Sequence, residues 1–125
     1  MDKVKCLRIY SDAQGESHFG EVEVELKLTN YAPPAPPFGV SSPLPAARLL
    51  FASCLAGFLG DWHPTPCRQL LVLLRGESEV EASDGEVRHL RPGDFLLAED
   101  STGKGHRSRV VGADEYVNLL VHLPD

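Results

Sequence analysis

The chain has 125 residues and a formal net charge of −6, from 12 Lys and Arg against 18 Asp and Glu. Hydrophobic residues make up 42% and charged residues 24%, a composition typical of a globular domain rather than a disordered chain. The length fits one domain with its own core. The acidic balance argues against a nucleic-acid partner, because phosphate binding depends on clustered cations.

The cysteines and the hydropathy pattern bear on location. Cys6, Cys54 and Cys67 are odd in number and far apart in the chain, so no disulfide framework is expected and a reducing cytoplasm fits best. The first ten residues mix charged and apolar positions, unlike a signal peptide. The longest nearly apolar run, residues 49–59, is about half of the length that crosses a bilayer. The sequence therefore predicts a cytoplasmic protein with no membrane partner.

The first part of the chain predicts strands followed by a loop. Residues 3–10 favour a strand, and residues 21–29 alternate apolar and charged side chains, which predicts a half-buried strand. Six of the ten prolines lie between residues 33 and 45, so residues 31–46 are expected to form an extended surface loop. This loop is either a stiff connector or a lid or partner-binding arm. Residues 47–55 are apolar and predict a buried strand.

The rest of the chain predicts short strands separated by turns. Asp84-Gly85 and Pro92-Gly93 are the clearest turn signals. On the last strand, the alternation predicts that the apolar set 117, 119, 121 and 123 is core, whereas Tyr116, Asn118 and His122 face the surface or a dimer contact. No segment predicts a helix, and this pattern indicates a sandwich, jelly roll or barrel. The further predicted strands are 69–74, 77–82, 87–90, 95–98, 107–111 and 116–123.

Two motifs then resemble those of the cupin family. The first cupin motif is G-x5-H-x-H-x3,4-E-x6-G, and this chain keeps its spacing with, in order, Gly57, His63, Thr65, Gln69 and Gly76. Thr65 replaces the second histidine of the motif and Gln69 replaces its glutamate. The second motif is matched in part, by Gly93 at its start and by His106 after a stretch about two residues longer than the pattern.

The resemblance implies the fold and the assembly. Cupins form an all-β jelly-roll barrel, also called a double-stranded β-helix, and usually pair as homodimers. The chain is accordingly expected to be a single cupin domain over residues 1–125. Its parts would be N-terminal strands in 1–30, the proline-rich loop 31–46 and a barrel core in 47–123.

Strand periodicity groups the candidate site residues. If residues 63–69 are extended, His63, Thr65, Cys67 and Gln69 project to one side. Leu71 and Leu73 continue that side, which would then be the barrel interior. His106 would enter from a facing strand together with Ser108. We therefore expect His63 and His106 to be the catalytic residues, and the ligand-binding residues to be Thr65, Cys67, Gln69 and Ser108.

Two kinds of chemistry remain open for this pocket. Cupins often bind a metal on three histidines and one glutamate, so His63, Gln69 and His106 are the candidate ligands for iron, manganese, nickel or zinc. Alternatively the pocket is metal-free, and a histidine moves a proton near neutral pH. An enzyme with this site would be an isomerase, lyase or oxygenase acting on a small organic molecule. The rival hypothesis is a non-catalytic sensor or carrier of such a molecule with a degenerate metal site.

Overall fold

The computed structural model describes residues 3–124 and shows an all-β protein, as predicted. No helix occurs in these residues, so none is long and apolar enough to cross a membrane. The strands are β1 (Lys3–Ser11), β2 (Ser17–Glu25), β3 (Lys27–Thr29), β4 (Phe38–Val40), β5 (Arg48–Cys54), β6 (Gln69–Arg75), β7 (Glu77–Ala82), β8 (Val87–Leu90), β9 (Phe95–Glu99), β10 (His106–Val111) and β11 (Tyr116–His122).

The strands form three sheets. A six-stranded sheet has the order β2-β1-β9-β6-β11-β5, and a three-stranded sheet has the order β10-β7-β8. The pair β3-β4 forms a small third sheet. All pairings are antiparallel except that of β1 with β9. Within the described residues no sheet closes into a barrel.

The main core lies between the six-stranded and the three-stranded sheets. Leu73 of β6 and Ile9 of β1 are fully buried there, and Val80 and Val110 contribute from the opposite sheet. Leu71 packs against this cluster, so Leu71 and Leu73 face inward as the sequence predicts. We call the face of each sheet that covers this core its inner face.

A second apolar cluster covers the outer face of the six-stranded sheet. Cys6, Leu97 and Leu123 are buried in it, and Leu70 and Val121 pack against them. Because β6, β9 and β11 lie in the middle of the sheet and are packed on both faces, their polar and apolar positions do not simply mark outside and inside.

This double packing overturns one prediction for the last strand. Tyr116 and Asn118, expected at the surface, are buried with 7% and 5% of their surface exposed, and Tyr116 belongs to the main core. Leu123 is buried as predicted, but in the second cluster. The polar set of β11 therefore faces the interior of the sandwich.

The predictions for residues 21–55 need three corrections. The predicted strand 21–29 is interrupted at Leu26, between β2 and β3. The proline-rich loop contains a strand of its own, β4, which pairs with β3. The apolar strand β5 is not buried, because it is the edge strand of the six-stranded sheet and leaves Leu49 and Phe51 exposed.

Candidate functional site

His63 and His106 lie side by side at one end of the sandwich. Their backbones exchange two hydrogen bonds, of 3.0 and 2.9 Å, so the segment around His63 adds to the edge of β10. Directly paired residues of antiparallel strands project to the same face. The two ring centroids are 4.8 Å apart. His106 shares its face with the buried core residue Val110, so both rings belong to the inner face. His63 is exposed and His106 is partly buried.

A buried carboxylate fixes the ring of His106. Asp100 is fully buried, and its Oδ2 lies 2.5 Å from Nδ1 of His106. A carboxylate accepts hydrogen bonds, so Nδ1 is the donor and Nε2 is left free. His63 has the same arrangement, because its Nδ1 lies 2.8 Å from the carbonyl oxygen of Asp61 and must donate to it. Both rings therefore keep an Nε2 that makes no hydrogen bond to residues 3–124.

Thr65 orients the side chain of Gln69. The hydroxyl of Thr65 donates to the carbonyl oxygen of Cys67 at 2.8 Å, and it accepts a hydrogen bond from Nε2 of Gln69 at 3.2 Å. With its only proton used, the hydroxyl requires a donor from Gln69. Oε1 of Gln69 consequently stays free, and it is buried without a partner.

Asp100 joins these two groups. Its carbonyl oxygen accepts a hydrogen bond of 3.1 Å from the backbone of Thr65, while its carboxylate holds His106. Asp100 follows β9 directly and continues the inward alternation of Leu96 and Ala98. The structure thus connects His63, His106, Thr65 and Gln69 around one buried acid.

The predicted single strand over residues 63–69 is wrong. His63 pairs with β10, the chain bends at residues 66–67, and β6 begins only at Gln69. Thr65 is buried, with 2% of its surface exposed, and its hydroxyl is used within the protein. Cys67 is a partly buried free thiol whose carbonyl contacts Thr65. Ser108 lies two residues after His106 on β10 and projects to the same inner face.

Two residues of this region are not among the site residues predicted from the sequence. Asp100 is one, and its position in register with Leu96 and Ala98 is the signal that could have indicated it. The other is His122, which is the direct cross-strand partner of Gln69 between β6 and β11. Its Nδ1 is buried and finds no hydrogen-bond partner among residues 3–124.

On the outer face of the sheet, the end of β9 carries ion pairs that do not involve the histidines. Glu99, next to Asp100, projects to the opposite face and binds Arg8 and Arg68, each at 2.6 Å. Burial alone would raise the pKa of Glu99, but the hydrogen bonds and charges of the two guanidinium groups outweigh it and lower that pKa. These two cations are therefore paired on the outer face and do not face the histidines.

The residues present fit a divalent metal poorly. Within residues 3–124 no three His, Cys, Asp or Glu side chains are grouped as a metal site would require. His63 and His106 offer two Nε2 atoms and Gln69 one neutral amide oxygen, a donor set without an anion, which transition metals bind weakly. Metal binding by His63, Gln69 and His106 remains a prediction, which elemental analysis of the purified protein can test.

Comparison with known proteins adds little to this description. No family model matches the chain, and no curated protein matches it. Among solved structures, the chain is similar to the crystal structure of protein NMB1881 from Neisseria meningitidis. The two share 20% sequence identity with a TM-score of 0.46, over 61% of this chain and 72% of that one.

Proposed function

We propose that this protein is a small cupin-type β-sandwich that binds a small organic molecule at the inner end formed by His63, Gln69 and His106. The observation that carries the proposal is the buried carboxylate of Asp100 on Nδ1 of His106. This contact fixes the tautomer and leaves Nε2 of His106 free to accept a proton. A buried acid that orients an imidazole is a common arrangement for general base catalysis.

The chemistry proposed is proton transfer to or from the bound molecule. Asp100 orients His106 so that its Nε2 can accept a proton, and the carboxylate stays in hydrogen-bond contact with the imidazolium that this transfer forms. His63 stands 4.8 Å away between ring centroids and presents a second Nε2, which can give a proton to another atom of the same molecule when His63 enters the cycle as the imidazolium. An isomerase or lyase step has this requirement for two proton-transfer groups.

The second candidate is a non-catalytic carrier or sensor that uses the same site. It is favoured by Thr65, whose hydroxyl is used inside the protein where cupins carry a metal-binding histidine. Both candidates need the ligand to contact His106. They differ only in whether the bound molecule is chemically changed.

Ligand screening of the purified protein tests the proposal. Thermal shift and ligand-observed NMR against a panel of small metabolites should give a binder, and His106→Gln and Asp100→Asn should weaken its binding. His89→Gln is the matched control, because His89 pairs with Glu77 on the three-stranded sheet and lies outside the site. Product detected by NMR favours the enzyme, and unchanged ligand favours the carrier. A binder that His106→Gln retains at full affinity would contradict both.

We also propose that two copies pair through β5. This strand ends the six-stranded sheet, and exposed Leu49 and Phe51 lie on one of its faces. An unpaired apolar edge strand is a template for pairing with another chain. A homodimer with β5 against β5 would satisfy the free backbone groups and cover these side chains.

A further inference from the structure

Three buried polar atoms at this site have no hydrogen-bond partner in the described part of the chain. They are Oδ1 of Asp100, Oε1 of Gln69 and Nδ1 of His122. A buried polar atom without a partner costs free energy on the order of 1–3 kcal/mol. Three such atoms in one region indicate a place where a bound molecule, rather than the protein, completes the hydrogen bonds.

The sheet register places these atoms close to one another. Gln69 is paired directly with His122 on one side and with Ala98 on the other, and neighbouring strands are about 4.8 Å apart. Asp100 lies two residues beyond Ala98 on the same face, and it carries His106. The three unpartnered atoms therefore belong to residues on the inner faces of neighbouring strands, and Asp100 links them to His106.

These atoms are mainly hydrogen-bond acceptors. The two oxygens of Asp100 and Gln69 can only accept, and Nε2 of His63 accepts when its Nδ1 donates to Asp61. Arg48, the cross-strand partner of His122 on its other side, is exposed and lies two strands, or about 10 Å, from Gln69. The buried part of the site thus has acceptors and no cation among them, an arrangement that suits a ligand with several donors and disfavours a carboxylate or phosphate.

We infer that the site takes a small uncharged polyhydroxylated molecule, a polyol or sugar, whose hydroxyl groups donate to Asp100 and Gln69. This inference rests on the proposed function and adds the substrate class to it. A hydroxyl is favoured over an ammonium group, because an imidazole that accepts a proton becomes a cation and would repel a bound cation.

The test compares matched probes by NMR titration and calorimetry. Xylitol and myo-inositol represent the polyols, xylonate the hydroxy acids and serinol the amino alcohols. We expect the polyols to bind more tightly than either charged probe. Gln69→Met, which keeps the side-chain length and removes the amide, should weaken polyol binding by about tenfold, the value of one lost hydrogen bond. Gln14→Met, at an exposed turn position, is the control and should bind as the wild type does.

The outcomes separate the inference from the proposed function. Tighter binding of xylonate or serinol, unchanged polyol affinity in Gln69→Met, or no binding of any polyol overturns the inference. If charged probes bind in a manner that depends on His106, the proposed function stands without it. If polyols bind and need Gln69 but not His106, the substrate class stands and the proton-transfer role fails. Melting temperatures of both variants control for misfolding.

Discussion

The α-carbon of Gly105 lies directly against the carbonyl group of His63, so closely that a β-carbon at position 105 would overlap the peptide bond between His63 and Pro64. Gly105 also has a φ of +73°, a conformation that residues with a β-carbon rarely adopt. The absence of a side chain at this point lets the two chain segments pair closely, and this pairing holds the two histidines side by side.

Gly105→Ala is therefore expected to move His63 away from His106. Gly85→Ala is the matched control, because Gly85 has a φ of +97° but nothing near its missing β-carbon. Both variants pay the backbone strain of about 1–2 kcal/mol, and only Gly105→Ala adds the steric overlap. Chemical denaturation should show the larger loss of stability for Gly105→Ala, and histidine NMR shifts should change only there. Equal losses of stability for the two variants would contradict a close contact between position 105 and His63.

The sequence predicted much of the fold and part of the site. Nearly all strands follow from alternation and turn residues, and the hairpin at Ser83-Asp84-Gly85 stands where Asp-Gly indicated it. His63 and His106 were paired by motif spacing alone. Local periodicity was sufficient for these features because each depends on residues close together in the chain or at fixed motif positions.

The remaining features depend on contacts between distant segments. Whether Asn118 or Leu119 faces the core cannot be decided from β11 alone, since both faces of the sheet are packed. The hydrogen bond between Asp100 and His106 depends on the path of the six-residue loop 100–105 between β9 and β10. The bend at residues 66–67 that separates His63 from Gln69 has Pro64 and Pro66 as its local signals.

Leu73→Ala and Leu74→Ala should differ sharply although the residues are adjacent. Leu73 is fully buried in the main core, whereas Leu74 is 46% exposed on the other face of β6. Removing a buried leucine side chain costs about 2–5 kcal/mol, and the change at Leu74 should cost a small fraction of that. Urea unfolding measures both free energies. A larger effect at Leu74 would mean that the inner face of β6 has been assigned the wrong way round.

His18 should give the stability a dependence on pH. It lies between Asp12 and Asp84, at 2.7 and 2.8 Å, and the hydrogen bonds that its ring donates to these carboxylates raise its pKa above the ordinary 6.5. A raised pKa stabilises the fold fully below pH 6.5, and this contribution is lost as the pH rises through the folded pKa.

The two carboxylates act in the opposite direction. The pKa values of Asp12 and Asp84 are lowered from 3.8, mainly by His18 for Asp12 and by the backbone of Glu86 for Asp84. Their contribution is present above pH 3.8 and is lost as the pH falls. His18→Gln removes the contribution of His18 that is lost above pH 6.5. Thermal unfolding should therefore show a smaller loss of stability above pH 6.5 in the variant than in the wild type. An unchanged pH profile would show that the pairing contributes nothing in solution.

The Tyr116 side chain should ionise only at high pH, and its hydroxyl should stabilise the buried side chain of Asn118. Burial raises its pKa to about 12, so absorbance at 295 nm should show a component that titrates near that pH and disappears in Tyr116→Phe. Because the folded pKa is raised, this contribution to stability is present below pH 10 and is lost above it. The variant also removes the phenol oxygen that accepts from Asn118 at 3.0 Å, which should cost about 1–3 kcal/mol. Tyr31→Phe, at an exposed position, should change neither stability nor the late component.

A single charged substitution on β5 tests the proposed pairing of two copies through this strand. Phe51→Glu places a carboxylate on the exposed face of this edge strand and, in a two-fold pairing, brings the two new charges near each other, so it should shift a dimer to monomer in analytical ultracentrifugation. Leu28→Glu is the matched control, because Leu28 has the same 67% exposure but lies on β3. A wild-type monomer, or a dimer lost equally in both variants, would exclude β5 as the contact. Dimer loss in Phe51→Glu alone would support it, since only an interface residue carries that cost of burying like charges.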